Sequence, residues 1–169
     1  LEAQDGNDIL YGGGIDAYDL VALQNADPTL IYSNEAQSVY KIITGPATWT
    51  DAAAFAATQS IMGVAGTLLA IETQAEQDFI YEALHEAEVY ETWLNATDSS
   101  DEGVWSCGSG YAEDYIFFKD GVASEYLYTN IEVGQHTTAS QDFLMMDYFG
   151  NWQDADGTFA NSYVIEWTF

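Results

Sequence analysis

The chain has 169 residues, with 28 acidic side chains against two basic ones (Lys41 and Lys119) and a formal net charge of −26. That balance excludes nucleic acid and anionic membrane surfaces as partners, because phosphate contacts require Lys and Arg. Hydrophobic residues make up 48% and aromatic residues 15%, enough for a core of one ordinary domain rather than a disordered acidic tail. Carboxylates this crowded repel one another unless cations or high ionic strength intervene, which points to a saline or calcium-rich medium outside the cell. Cys107 stands alone, so no intrachain disulfide can staple the fold. Neither His85 nor His136 is its sequence neighbour, and no other nucleophile or acid/base constellation is present, so binding is expected rather than catalysis. No apolar run reaches transmembrane length, so no membrane insertion is expected. No signal-peptide pattern is read within the sequence, and the chain, which starts at Leu1 in mid-motif, is expected to be a piece of a longer protein.

Residues 4–20 read QDGNDILYGGGIDAYDL. Gly-rich turns with Asp at short intervals resemble the RTX repeat, in which such turns bind Ca2+ between the coils of a parallel β-roll. A single pair of repeats cannot bury its own strands, so residues 1–22 are read as the remnant or cap of an array, with Asp8 and Asp16 as calcium residues. A Gly/Asp-rich linker is the alternative. The resemblance implies type I secretion and a place on a bacterial surface.

Residues 23–37, with Pro28, read as connection. Val39 to Ile43 alternate as a strand, which Gly45-Pro46 is expected to end. Residues 48–60 read as a helix, with Thr48 as cap and Trp49, Ala52, Ala53, Phe55 and Ala56 as its apolar stripe. A short strand follows over 68–71. Thr73-Gln74-Ala75-Glu76 is a capping box, opening a second helix whose Phe79, Ile80, Ala83 and Leu84 face inward. Trp93, Leu94 and Ala96 then form a buried strand. It runs into an acidic loop, where Asp98 and Glu102 lie four apart and Gly103 turns the chain back toward Val104 and Trp105. Hard carboxylate oxygens gathered on such a loop suit Ca2+; a solvated acidic turn is the alternative.

The stretch WLNATDSSDEGVW at 93–105, after the GPxTWxxA helix start and the T-x-x-E helix, resembles the centre of the C-type lectin domain. The resemblance spans about residues 38–169. It implies an α+β C-type lectin-like fold of two helices and short antiparallel sheets, preceded here by the partial β-roll. It also implies Ca2+ as cofactor, and the carboxylates offer nothing else to staple a bridge-free fold. A site filled at ~100 times its dissociation constant adds ~2.7 kcal/mol.

Three calcium sets follow from the family pattern. Asp98, Glu102 and Asp142 correspond to residues sharing an ion beside the sugar site. Glu76, the carbonyl of Ala70 and Glu166 correspond to a structural site, although Glu76 reads equally well as a cap residue alone. YTNIEVGQHT, QDFL and GNWQD then place Gln135, Thr137, Gln141, Gln153 and Asp154 where family members hold calcium and sugar hydroxyls together. His136 stands where the family uses a cis proline, and a cis bond there would cost ~3–4 kcal/mol, so the loop is expected to run differently. With Asp154 the sole charge among these five, Ca2+ affinity is expected near ~10⁻³ M or weaker.

Trp105 and Trp152 read as core, and Tyr128, Tyr148 and Phe149 as core, rim or a stacking face for a sugar ring. The function implied is calcium-dependent binding of cell-surface glycans, galactose- or fucose-containing, by a secreted adhesin. The alternative is a domain of the same fold that grips a protein or peptide, with calcium only structural.

Overall fold

A computed structural model of the chain describes residues 15–108, 110, 115–124, 128–131 and 140–169. Its elements run α1 (Ala17–Ala26), β1 (Leu30–Ser33), β2 (Ser38–Ala47), α2 (Trp49–Thr58), β3 (Ser60–Ile61), β4 (Val64–Ala65), β5 (Thr67–Leu68) and α3 (Gln74–Glu86). They continue with β6 (Thr92–Thr97), β7 (Val104–Cys107), β8 (Ile116–Lys119), β9 (Val122–Ala123), β10 (Phe143–Met146), β11 (Trp152–Ala155) and β12 (Asn161–Thr168).

The expected α2 and α3 form where their caps place them. Thr48 accepts from the Asp51 N–H, and Thr73 from the Glu76 N–H at 3.1 Å, each satisfying one of the unpaired donors of a first helical turn. Helix α2 buries Ala52 and Ala56, and α3 buries Ile80 and Leu84, the inward stripe that the helical period sets.

Beyond the two helices expected of residues 38–169, a third, α1, lies in the segment read as roll remnant and connection. Asp16 does not sit in a β-roll turn; its Oδ1 accepts the N–H groups of Tyr18 and Asp19, both at 2.8 Å, and caps α1. No β-roll is found among the described residues, and Asp8 lies outside them. Residues 23–37 are likewise more than a connection, since they carry the end of α1 and all of β1. Helix α1 buries no residue, and so gives no apolar stripe from which to read it.

Strand β2 runs through Gly45-Pro46 instead of ending there. Its pairing with β12 slips between Ile43↔Tyr163 and Ala47↔Asn161, and Thr44, Gly45 and Pro46 are exposed. A bulge on an open edge needs no ladder N–H from proline. The strand expected over 68–71 shortens to Thr67–Leu68.

The main sheet orders as β1-β2-β12-β6-β7-β8-β9, with β5 on β12 and the β10–β11 hairpin on β6. Early and late strands meet in β2 and β12, so the two ends of the fold close on each other. The β12–β6 pairing is parallel and sets Trp93 beside Tyr163. One core cluster centres on Tyr40, Leu69, Ile80, Leu94, Trp105, Leu144 and Trp152; a second holds Val39, Ala52, Leu68, Trp93, Ile165 and Trp167. Trp105 and Trp152 are therefore core, as expected. Indole N–H groups tie the layers: Trp49 donates to the Leu94 carbonyl at 2.8 Å and Trp93 to that of Ala47 at 2.9 Å.

Candidate calcium and carbohydrate sites

Asp98 sits one residue past β6, where the chain leaves the sheet. The Asp98 N–H and the Thr97 hydroxyl both donate to the Asp142 carbonyl, at 3.2 and 2.7 Å, which ties the acidic loop to the start of β10. Gly103, at φ 78°, turns its N–H onto Asp98 Oδ2 at 2.9 Å. A side chain at that φ is strained, so glycine fixes the closure. Asp98 is 1% exposed, yet its Oδ1 has no hydrogen-bond partner. Burial pushes its carboxyl above the ordinary value; the Gly103 N–H opposes this, and Glu102 and Asp142 add to it. A buried carboxylate oxygen without a donor costs free energy that a bound cation would remove. Glu102 is exposed and Asp142 half-buried. Among the described residues no group of three or more His, Cys, Asp or Glu side chains is drawn together as a ready-made metal cluster.

The second carboxylate pair lies under the sheet. Glu166 Oε1 accepts from the Ser38 and Thr168 hydroxyls at 2.9 and 3.2 Å, and Oε2 from the Ala70 N–H at 3.0 Å. Glu76 Oε1 accepts from the Tyr40 hydroxyl at 2.5 Å, and Oε2 from the Glu72 N–H at 2.9 Å. One oxygen thus serves the backbone one residue before the Thr73 cap and the other faces the Tyr40 hydroxyl inside. Burial pushes Glu166 up to about 7, with the nearby Glu76 adding to the rise and the three donors opposing it. Burial also raises Glu76, and burial with both carboxylates nearby raises the Tyr40 hydroxyl. Protein donors already serve these oxygens, and Ala70 presents its N–H to Glu166.

The carbohydrate set is brought together only in part. Gln135 and Thr137 lie outside the described residues. Gln141 is half-buried just before β10, and Asp154, 7% exposed, pairs with Leu144 across the β10–β11 hairpin. Gln153 neighbours Asp154 in β11, but its amide nitrogen donates to Asp147 Oδ2 at 2.8 Å in the hairpin turn. Asp147 was not anticipated. It organises that turn, its Oδ1 accepting the N–H groups of Phe149 and Asn151 at 2.8 and 2.9 Å. The spacing Asp147-Tyr148-Phe149-Gly150 was its available signal, an Asx turn closed by glycine.

Cys107 is half-buried and lines a small apolar cavity with Leu94, Phe117 and Trp152. Burial, then the charges of Glu72 and Glu166, push its thiol up to about 12. A thiol held protonated is a poor nucleophile. No described helix is long and apolar enough to cross a membrane.

The strand order, the helix pair and the closing of β2 on β12 are those of the C-type lectin-like fold. Solved structures place the chain there. The C-type lectin CEL-I from Cucumaria echinata superposes with a TM-score of 0.65 at 18% identity, covering 83% of this chain and 96% of its own. The cow CD23 C-type carbohydrate-recognition domain, solved in the presence of GlcNAc2Man3 oligosaccharide, gives 0.62 at 21% identity, covering 83% of this chain and 94% of its own. No family model matches the chain. In sequence it is similar to halomucin of Haloquadratum walsbyi, 24% identical over 119 residues, a match covering 68% of this chain and 1% of halomucin. The chain thus spans about 1% of the length of that relative.

Proposed function

We propose that this domain binds glycans in a calcium-dependent manner as the recognition module of a secreted or surface-displayed adhesin. The observation that carries the reading is Asp98: a buried carboxylate with one oxygen unpartnered, at the mouth of an acidic loop hydrogen-bonded to Asp142 at the start of the β10–β11 hairpin. Asp98, with Glu102 and Asp142, would hold one ion. Asp154, with Gln141, Gln153, Gln135 and Thr137, would hold a second and meet the sugar. Calcium there would supply coordination for two adjacent hydroxyls; the side chains would hydrogen-bond the same hydroxyls and fix which pair fits. Glu76, Glu166 and the Ala70 carbonyl remain a third candidate, less favoured because protein donors already serve both carboxylates. Galactose- or fucose-type glycans on a neighbouring cell are the expected ligands, and the similarity to part of halomucin fits a place outside the cell. Type I export from a bacterium rests on the RTX-like reading of residues 1–22, of which 1–14 lie outside the described residues and 17–22 belong to α1.

A second reading keeps calcium as a staple and gives the loops to a protein partner. It is favoured by the single carboxylate in the sugar set and by the Gln153 amide already engaging Asp147. A glycan array probed in calcium and in EGTA separates the two. Saccharide signals that EGTA abolishes support the lectin; a blank array in calcium, with EGTA lowering only the melting temperature, supports the staple.

A further inference from the structure

At the far end of the β10–β11 hairpin from Asp142 and Asp154, aromatic rings form an unbroken ledge. Tyr81 meets His85 at 4.2 Å between centroids, His85 meets Tyr148 at 4.9 Å, and Tyr148 meets Tyr90 at 5.3 Å and Phe149 at 5.1 Å. Tyr90, Tyr148 and Phe149 are 51%, 48% and 73% exposed, and they differ from the other exposed rings in lying against one another. The ledge is held rigidly. The Gly150 carbonyl accepts from Gln77 at 2.9 Å and Asn130 at 2.7 Å, the Asp147 carboxylate fixes the turn, and the His85 ring meets the Tyr148 carbonyl at 3.1 Å. Tyr90 also lines an open groove of about 500 Å³, whose walls carry Thr44, Glu88, Glu91, Asn161 and Ser162. That is within the size range of a small-molecule site.

We propose that the ledge and groove form a second, calcium-independent subsite for neutral saccharide. Flat pyranose rings would stack their C–H faces on Tyr90, Tyr148 and Phe149, and hydroxyls would bond the groove oxygens. Three observations select this occupant. The groove offers hydroxyl, amide and carboxylate groups, the partners of a polyhydroxylated ligand. Neither groove nor ledge includes a Lys or Arg side chain, and on a chain of net charge −26 the His85 imidazole alone offers little to an anion. Successive rings are turned 58–84° against one another, so their faces do not converge into a cage for a cation, and the exposed rings suit separate flat rings instead. The subsite rests on the glycan-binding reading but not on its calcium. With both sites filled, one oligosaccharide family could bridge opposite ends of the domain.

Saturation-transfer NMR on the whole chain in EDTA tests this, with cellotetraose and chitotetraose as probes at millimolar concentration. Transfer to the ring C–H protons of at least one probe is expected. It should fall about fivefold, the size of one aromatic contact, in Tyr90→Ser and in Phe149→Ser. Tyr18→Ser, a change at an exposed ring on α1, should leave it unchanged. Both ledge positions are open to solvent, so the variants are expected to fold, and melting curves check this. No transfer in EDTA, or transfer indifferent to both ledge substitutions, overturns the subsite. Transfer lost equally in the Tyr18 variant overturns it too. EGTA-sensitive array signals that survive Tyr90→Ser alongside such a failure would leave the calcium-dependent reading standing. Loss of those array signals with intact EDTA transfer would remove that reading and keep the ledge.

Discussion

Glu166 should make the metal-free protein lose stability as pH rises through a definite window. Burial, with Glu76 beside it, lifts the carboxyl from 4.5 to about 7. Its ionised form is therefore disfavoured in the fold relative to the unfolded chain. The sign follows: below about pH 4.5 the group is protonated in both states and costs nothing. Between 4.5 and 7 the unfolded chain ionises first and stability drains away. Above 7 the full penalty, about 3 kcal/mol, is in place. Urea denaturation of wild type and Glu166→Gln from pH 4.5 to 8, in EDTA at fixed high salt, measures it. Gln keeps acceptor and volume without the charge, so the difference between the two curves isolates Glu166. That difference should shift by about 3 kcal/mol in favour of Gln across the window. Parallel curves would refute the reasoning, because they would mean that the Ser38, Thr168 and Ala70 donors fully offset burial and Glu76.

Asp98→Ala should lower the melting temperature chiefly in calcium. The same substitution at Asp154 should chiefly remove saccharide binding; identical melting shifts in both variants, with binding intact, would dissolve the assignment of two roles. Raising sodium chloride from 0.1 to about 2 M should raise the melting temperature even in EDTA, because the screening length shrinks from ~10 Å to below 3 Å around a charge of −26. A flat salt response would mean that carboxylate repulsion is already relieved. Thr73→Ala should cost about 1 kcal/mol in urea unfolding by uncapping α3, and Thr73→Ser should restore most of it.

The parts of this fold written locally were legible. Thr48 and Thr73 announce their helices by a side-chain oxygen three residues before the donor it serves, and the WLNATDSSDEGVW pattern places strand, acidic loop and return strand correctly. What escaped was either unpatterned or distant. Helix α1 buries nothing and so has no periodic stripe. Gly45-Pro46 looked like a strand end because the bulge that tolerates proline depends on Asn161 and Tyr163 across the sheet. Thr168 and Glu72 serve Glu166 and Glu76 from nearby, but other donors stand far away in sequence: Ser38 is 128 residues from Glu166, and Tyr40 is 36 from Glu76. A carboxylate in an apolar strand reads as needing a partner, but not which one. The site was legible in the same uneven way. Asp98 declared itself by its loop, whereas the engagement of Gln153 by Asp147 and the ring ledge arise only when α3, the residues before β6 and the hairpin turn are folded together.

Calcium titration by calorimetry, on the wild-type chain and on Asp98→Asn, bears most directly on the central claim. Asn keeps the shape and, with its amide oxygen toward the Gly103 N–H, the acceptor in use there, while removing the charge that burial leaves uncompensated. Saturable calcium uptake by the wild type, with at least one equivalent lost or weakened tenfold or more in the variant, is the predicted result. Identical isotherms, or no uptake at millimolar calcium in either protein, would contradict the account.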